Sequence, residues 1–173
     1  MVSGETREKL IKVCAVLNKH GVDYLVVGGA AVNFYGHRRP SGGVVAHPEL
    51  TIDLDFWYDP TIENFHKLIE ALGDLEVDTT ELKLIVLNPK STYLKIPHDT
   101  FHTDFLPVIP GLSSFRDSRK NAETVTVNGT EIPFISYTDL IQSKLTLNRK
   151  IDKADIDELD RLNKGRRKKG KGI

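Results

Sequence analysis

Asp53 and Asp55 stand two positions apart in the run Leu50 to Tyr58, where Ile52, Leu54 and Phe56 alternate with Thr51, Asp53, Asp55 and Trp57. That alternation predicts a strand, with both carboxylates on one face and their Cα atoms about 6–7 Å apart. Like charges so close raise each other's pKa or recruit cations, and the spacing suits two Mg²⁺ ions about 3.5–4 Å apart. The plainer alternative is a solvated face whose acids keep a sheet edge soluble. A third acid, Asp104, lies in His102-Thr103-Asp104-Phe105-Leu106, a strand pattern that could run beside the first. Upstream, the apolar run Asp23 to Val27 ends at Gly28-Gly29 and continues into Ala30, Ala31, Val32 and Phe34. Strand, glycine turn and helix together offer backbone N–H groups to a phosphate chain, although glycines also simply punctuate such turns.

Periodicity and turn chemistry supply the elements that hold these groups. Ser3 caps a helix over roughly 4–20, with Leu10, Ile11, Cys14 and Leu17 at helical spacing and Gly21 as its stop. The short helix after Gly28-Gly29 closes at Gly36, and residues 37–49, with Pro40, Gly42, Gly43 and Pro48, read as a long loop. Thr61 to Leu72 forms an amphipathic helix, and Leu82–Leu87, Thr92–Ile96 and Phe101–Val108 are further strand candidates. Asn128-Gly129 joins Val125–Val127 to Ile132–Phe134 as a hairpin. Ser136 then caps a helix carrying Leu140, Ile141, Leu145 and Leu147, and another can start at Asp152 and run to Leu162.

The chain has 173 residues, 39% hydrophobic and 28% charged, enough for one core but not for two large domains. No apolar run approaches the roughly 20 residues of a membrane helix. The N-terminus lacks the order of a secretory signal and the single Cys14 has no disulfide partner, so a cytoplasmic, reducing setting is expected, with Cys14 a buried structural thiol. A formal charge of zero hides an asymmetry: Lys164, Arg166, Arg167, Lys168, Lys169 and Lys171 leave the first 162 residues about six units negative. The expected organisation is one domain over 1–162, its helical C-terminal segment at 136–162, and a disordered basic tail over 163–173 that could meet nucleic acid or an acidic partner.

In this order, Gly28-Gly29 opening a helix, Asp53-Leu54-Asp55 on a strand and Asp104 on a later strand resemble the nucleotidyltransferase superfamily pattern of a glycine pair, an acid-x-acid dyad and a third acid. The stretch Ile135 to Lys144, followed by Arg149 and Asp152-Lys153-Ala154-Asp155-Ile156, looks like the helical segment of minimal nucleotidyltransferases and AbiEii-type toxins. The resemblance spans roughly 22–162 and implies an α+β fold, a mixed sheet packed on helices with the site on its open face. It implies that Gly28 and Gly29 contact the phosphates of an NTP such as ATP, that Asp53, Asp55 and Asp104 bind two Mg²⁺ ions, and that Asp104 helps deprotonate an acceptor hydroxyl. Lys144 would reach the β- and γ-phosphates. Members usually carry an Arg-x-Thr-x-Asp-x-Asp passage soon after the helix, whereas here Arg38-Arg39 is parted from Thr51 to Asp55 by the glycine-rich insert. Three functional classes remain open: an active transferase acting on tRNA, protein or a small molecule, with a cognate antitoxin if it is a toxin; a degenerate nucleotide- or partner-binding member; and an unrelated α+β binding module.

His98 and His102 would lie about 13 Å apart on a strand, too far to share a transition metal. His102 and Asp104 share a face, which brings His102 near the acids. Trp57 and Tyr58 could stack a base beyond the dyad or serve in packing.

Overall fold

The computed structural model of this chain describes residues 4–36 and 52–169. The loop expected over 37–49, with Arg38 and Arg39, lies outside the described residues, as does Thr51. Helix α1 spans Gly4–Lys19, strand β1 Tyr24–Val26, helix α2 Gly28–Phe34, strand β2 Ile52–Tyr58 and helix α3 Ile62–Asp74. Strands β3 Leu94–Pro97 and β4 Phe101–Leu106 follow, then helix α4 Phe115–Lys120, strands β5 Glu123–Val127 and β6 Thr130–Phe134, and helices α5 Tyr137–Leu147 and α6 Lys150–Lys169. The six strands form one mixed sheet in the order β3-β4-β2-β1-β6-β5. This is the α+β arrangement, a mixed sheet packed on helices, expected from the sequence.

The order places the two acid-bearing strands side by side in the middle of the sheet. β2 and β4 run parallel, β1 pairs antiparallel with β2, and β6 lies parallel to β1. Alternation then divides the faces. Leu54, Phe56, Thr103 and Phe105 are fully buried, and the Phe56 and Phe105 rings stack with centroids 5.2 Å apart. Burying aromatic side chains at such positions supplies much of what holds a small core, on the order of 2–3 kcal/mol each. Cys14 is buried in that core, and burial pushes its thiol up to about 12, as expected of a structural cysteine.

Local signals fix several boundaries. Thr61 and Ser136 cap α3 and α5, each side-chain oxygen accepting from the N–H three residues on. Asn128 and Gly129 both take positive φ, the type I′ geometry, and Val127 pairs directly with Thr130 across them.

Two expectations are corrected. Leu82–Leu87 is no strand: Leu82–Leu84 is a 3-10 turn, and Leu84 and Val86 are 79% and 91% exposed. An apolar run becomes a strand only where a neighbour takes its hydrogen bonds, and the edge begins later, at Leu94. The segment from 163 was expected to be disordered, yet α6 continues to Lys169. Lysine and arginine are good helix formers, and a helix already nucleated by packing extends at little cost. Residues 170–173 lie outside the described residues. No described helix is long and apolar enough to cross a membrane.

Candidate active site

The parallel register of β2 and β4 pairs Asp55 with Asp104 and Asp53 with His102. Neighbouring strands lie about 4.8 Å apart, so Asp55 and Asp104 stand side by side while Asp53 sits two residues along on the same face. Asp55 registers the crowding. Burial, and then the charges of Asp104 and Asp53, push its carboxyl up to about 6, against the opposing influence of Lys95 and Arg149. Asp104 keeps a buried Oδ1 with no hydrogen-bond partner. Such an oxygen, dehydrated and unpaired, is costly unless something binds it.

β1 delivers the glycines to this place. Gly28 follows β1 with φ +60°, and a Cβ on it would stand 2.1 Å from Asp55 Oδ2. Only glycine permits both the backbone conformation and the approach of the carboxylate. The Val27 N–H donates to the Asp55 carbonyl at 3.0 Å, which locks the start of α2 to β2. Gly29 is buried within α2's first turn.

His102 faces Asp53, its Nδ1 3.9 Å from Asp53 Oδ1, beyond a hydrogen bond. The two histidines are not spaced along one strand as expected: they flank the turn between β3 and β4, where Pro97 pairs with His102, and His98 bonds Thr103 Oγ1 at 3.0 Å and stacks on Phe101. Trp57, on the acid side of β2, is a packing residue: it is 2% exposed, donates to the Pro107 carbonyl at 3.1 Å and meets Phe115 edge-on.

Lys144 departs from expectation. It is 5% exposed, and its ammonium donates to Asp152 Oδ1 at 3.2 Å and to Asp155 Oδ2 at 2.8 Å. Two carboxylates already occupy the cation that was expected to reach the phosphates. The cations whose charge Asp55 feels are instead Lys95, which pairs with Asp104 across β3 and β4, and Arg149, at the junction of α5 and α6. Sequence reading missed both in this role. Strand alternation could have found Lys95, but Arg149 follows only from how two helices meet.

Carboxylates are hard oxygen donors of the kind Mg²⁺ takes, and the unpartnered Asp104 Oδ1 beside the repelling Asp55 fits a cation. Among the described residues no three Asp, Glu, His or Cys side chains stand close enough together to hold a metal ion, Asp53, Asp55 and Asp104 included.

No protein-family model matches this chain, and no curated protein matches it. Among solved structures, one from Thermotoga maritima, described as a "putative nucleotidyltransferase", matches 95% of this chain and 96% of its own with a TM-score of 0.58 and 19% sequence identity. At that identity the likeness is one of fold, and it extends over nearly the whole of both chains.

Proposed function

We propose that this chain is a Mg²⁺-dependent nucleotidyltransferase that moves a nucleoside monophosphate from an NTP to a hydroxyl on RNA, protein or a small molecule. The observation that carries the reading is the in-register pairing of Asp55 with Asp104 on adjacent parallel strands, with Asp53 on the same face. Asp53, Asp55 and Asp104 would hold the metal, which when bound would supply positive charge to neutralise the polyphosphate. Asp104 accepts the proton of the acceptor hydroxyl as that oxygen attacks the α-phosphorus and the bond to pyrophosphate breaks. Gly28 keeps the backbone against Asp55, so the phosphate chain can lie close to the carboxylates. The toxin–antitoxin setting belongs to this proposal and rests on the sequence resemblance.

The test is transfer of label from α-³²P-labelled NTPs, with Mg²⁺, to the protein itself, to total RNA and to small hydroxyl acceptors. Asp53→Asn should lower transfer on the order of 10³-fold or more while leaving the fold intact or slightly more stable. Wild-type transfer by Asp53→Asn would make the acids structural. The sequestered Lys144 favours a second reading, nucleotide binding without transfer, which predicts Mg²⁺-dependent ATP binding and no labelled product.

A further inference from the structure

We infer that the cleft at the carboxyl ends of β2 and β4 binds a free α-amino acid with a large apolar side chain, its ammonium group meeting Asp59 and its carboxylate meeting Arg116. The inference stands apart from the nucleotidyl-transfer reading and uses none of the residues that reading depends on.

The cleft follows from where two parallel strands stop. β2 and β4 run side by side, and each ends near a proline, Pro60 two residues beyond β2 and Pro107 directly after β4. Proline has no N–H to give a ladder, so the strands end there and the chain turns away. Between the two turns and the start of α4 lies a cavity of about 230 Å³ whose apolar wall is formed by Trp57, Ile109, Leu112 and Phe115. The Trp57 and Phe115 rings meet edge-on with centroids 5.6 Å apart, and Trp57, Ile109 and Phe115 are all buried. The wall is therefore part of the packed core, shaped before any ligand arrives. An apolar cavity of about 150 Å³ admits benzene, so this one has room for a benzyl or branched aliphatic side chain.

Two opposite charges line the same cleft. Asp59 is held by its backbone: its N–H donates to the Asp23 carbonyl at 3.1 Å, and its carbonyl accepts from the Thr61 N–H and from Asn64 Nδ2, both at 2.9 Å. Its side chain is only 14% exposed, and its carboxylate faces Arg116 Nε at 3.7 Å, longer than a direct hydrogen bond. Arg116 itself is 77% exposed. A pair so loose and so open to water adds little to stability, and a cation in the first turn of α4 gains nothing from the helix dipole. Burial pushes the Asp59 carboxyl above the usual range, and the Arg116 charge offsets this only in part. Both charges have capacity left for a ligand.

The head of an α-amino acid carries an ammonium and a carboxylate on one carbon. Set against Asp59 and Arg116, it gives each protein charge its opposite, while the side chain points into the apolar wall. A simple amine would leave Arg116 competing for Asp59, and a simple acid would leave Asp59 without a second cation. Chain ends fit no better, because a peptide N-terminus lacks the adjacent carboxylate and a C-terminus lacks the ammonium.

The experiment is calorimetric titration of the full chain with L-phenylalanine, phenethylamine, 3-phenylpropionate and glycine. Phenylalanine should bind at least about 10-fold more tightly than either half-ligand, and glycine, which has no side chain to bury, should not bind. Arg116→Gln should weaken phenylalanine about 10-fold and leave phenethylamine unchanged, whereas Asp59→Asn should weaken both and spare 3-phenylpropionate. If Asp59→Asn fails to fold, the exposed Arg116→Gln variant still decides with the same ligands. Phenethylamine binding as tightly as phenylalanine, an Arg116→Gln variant that loses nothing, or no phenylalanine binding up to about 10 mM overturns the inference and leaves nucleotidyl transfer standing. ATP with Mg²⁺ should bind Arg116→Gln as it binds wild type, and a parallel loss there would assign the cleft to the nucleotide and overturn the inference as well. Phenylalanine binding by a chain that takes no ATP overturns the transfer reading alone.

Discussion

The acid face of the sheet and the charged junction of the last two helices are both rich in aspartate, yet they are built on opposite plans. At the junction every carboxylate meets a cation within the chain: Lys144 bridges Asp152 and Asp155, and Arg149 forks onto Asp152. On the sheet, Asp53, Asp55 and Asp104 crowd together, Asp104 keeps an unpartnered oxygen, and Asp55 is pushed up to about 6. In the first arrangement each carboxylate has a lysine or arginine partner, and the second carries a repulsion among its acids that Lys95 and Arg149 offset only in part.

The sharpest way to break the comparison is to delete the shared cation of the complete cluster. Lys144→Met should cost about 3–5 kcal/mol, because it strands buried carboxylate charge, and should lower the melting temperature by roughly 10 °C. Asp53→Asn on the sheet should move stability the other way or not at all. Differential scanning calorimetry of the two variants in the presence of a chelator reads both signs. A Lys144→Met variant as stable as wild type would show that the junction is no more self-sufficient than the sheet.

The two regions also differ in how far the sequence revealed them. The acid face was legible because its logic is local: period-two alternation put Asp53 and Asp55 on one side, and the glycine pair marked the end of β1. The parallel register that sets Asp104 against Asp55 was expected only from element order, since no local signal states which strands are neighbours. The junction was misread for the converse reason. Lys144 on an amphipathic helix looks the same whether it faces a phosphate or a carboxylate, and its partners lie eight and eleven residues on, across a change of helix. Asp152 and Asp155, three apart on one side of the next helix, were the available signal. Leu82–Leu87 failed likewise, having strand composition but no neighbour, and α4 was too short for periodicity to show, although Ser114 caps it.

A smaller perturbation sharpens the link between the glycine turn and the repelling acids. Gly28→Ala would place its methyl 2.1 Å from Asp55 Oδ2 and 2.8 Å from Asp55 Cγ, at a φ of +60°. Either the carboxylate swings away from Asp104 or the start of α2 shifts. The expected cost is about 2–3 kcal/mol, the sum of left-handed strain and the collision, with a loss of Mg²⁺-dependent nucleotide binding. Denaturant unfolding and calorimetric titration of the same variant measure the two effects. Wild-type stability together with wild-type nucleotide binding would show that the Gly28–Asp55 approach is incidental.

The smallest effect separates the regions by the sign of their pH dependence. Asp55 has a folded pKa of about 6, above its ordinary 3.8, so its contribution to stability is fully present below about pH 3.8 and is lost as pH rises through 6. Asp152 is held below its ordinary value, so its contribution is present above about pH 3.8 and is lost only as pH falls through its lower folded value. Between pH 5 and 8 the sheet titrates and the junction does not. His98 interferes in that window, because burial and then the neighbouring His102 lower its pKa, and a histidine so shifted costs stability as pH falls. The useful quantity is therefore the difference in unfolding free energy between wild type and Asp55→Asn, measured in a chelator, from which His98 cancels. A shift of this size corresponds to about 3 kcal/mol at most, and solvent screening of a half-buried group reduces it to about 1–2. The variant should gain on the wild type by that amount from pH 5 to pH 8. Saturating Mg²⁺ should erase the gain, since the ion stabilises the ionised wild-type face that the variant no longer presents in full. A difference that stayed flat across the range in chelator would mean that Asp55 is already compensated within the chain, and the contrast between the two regions would disappear.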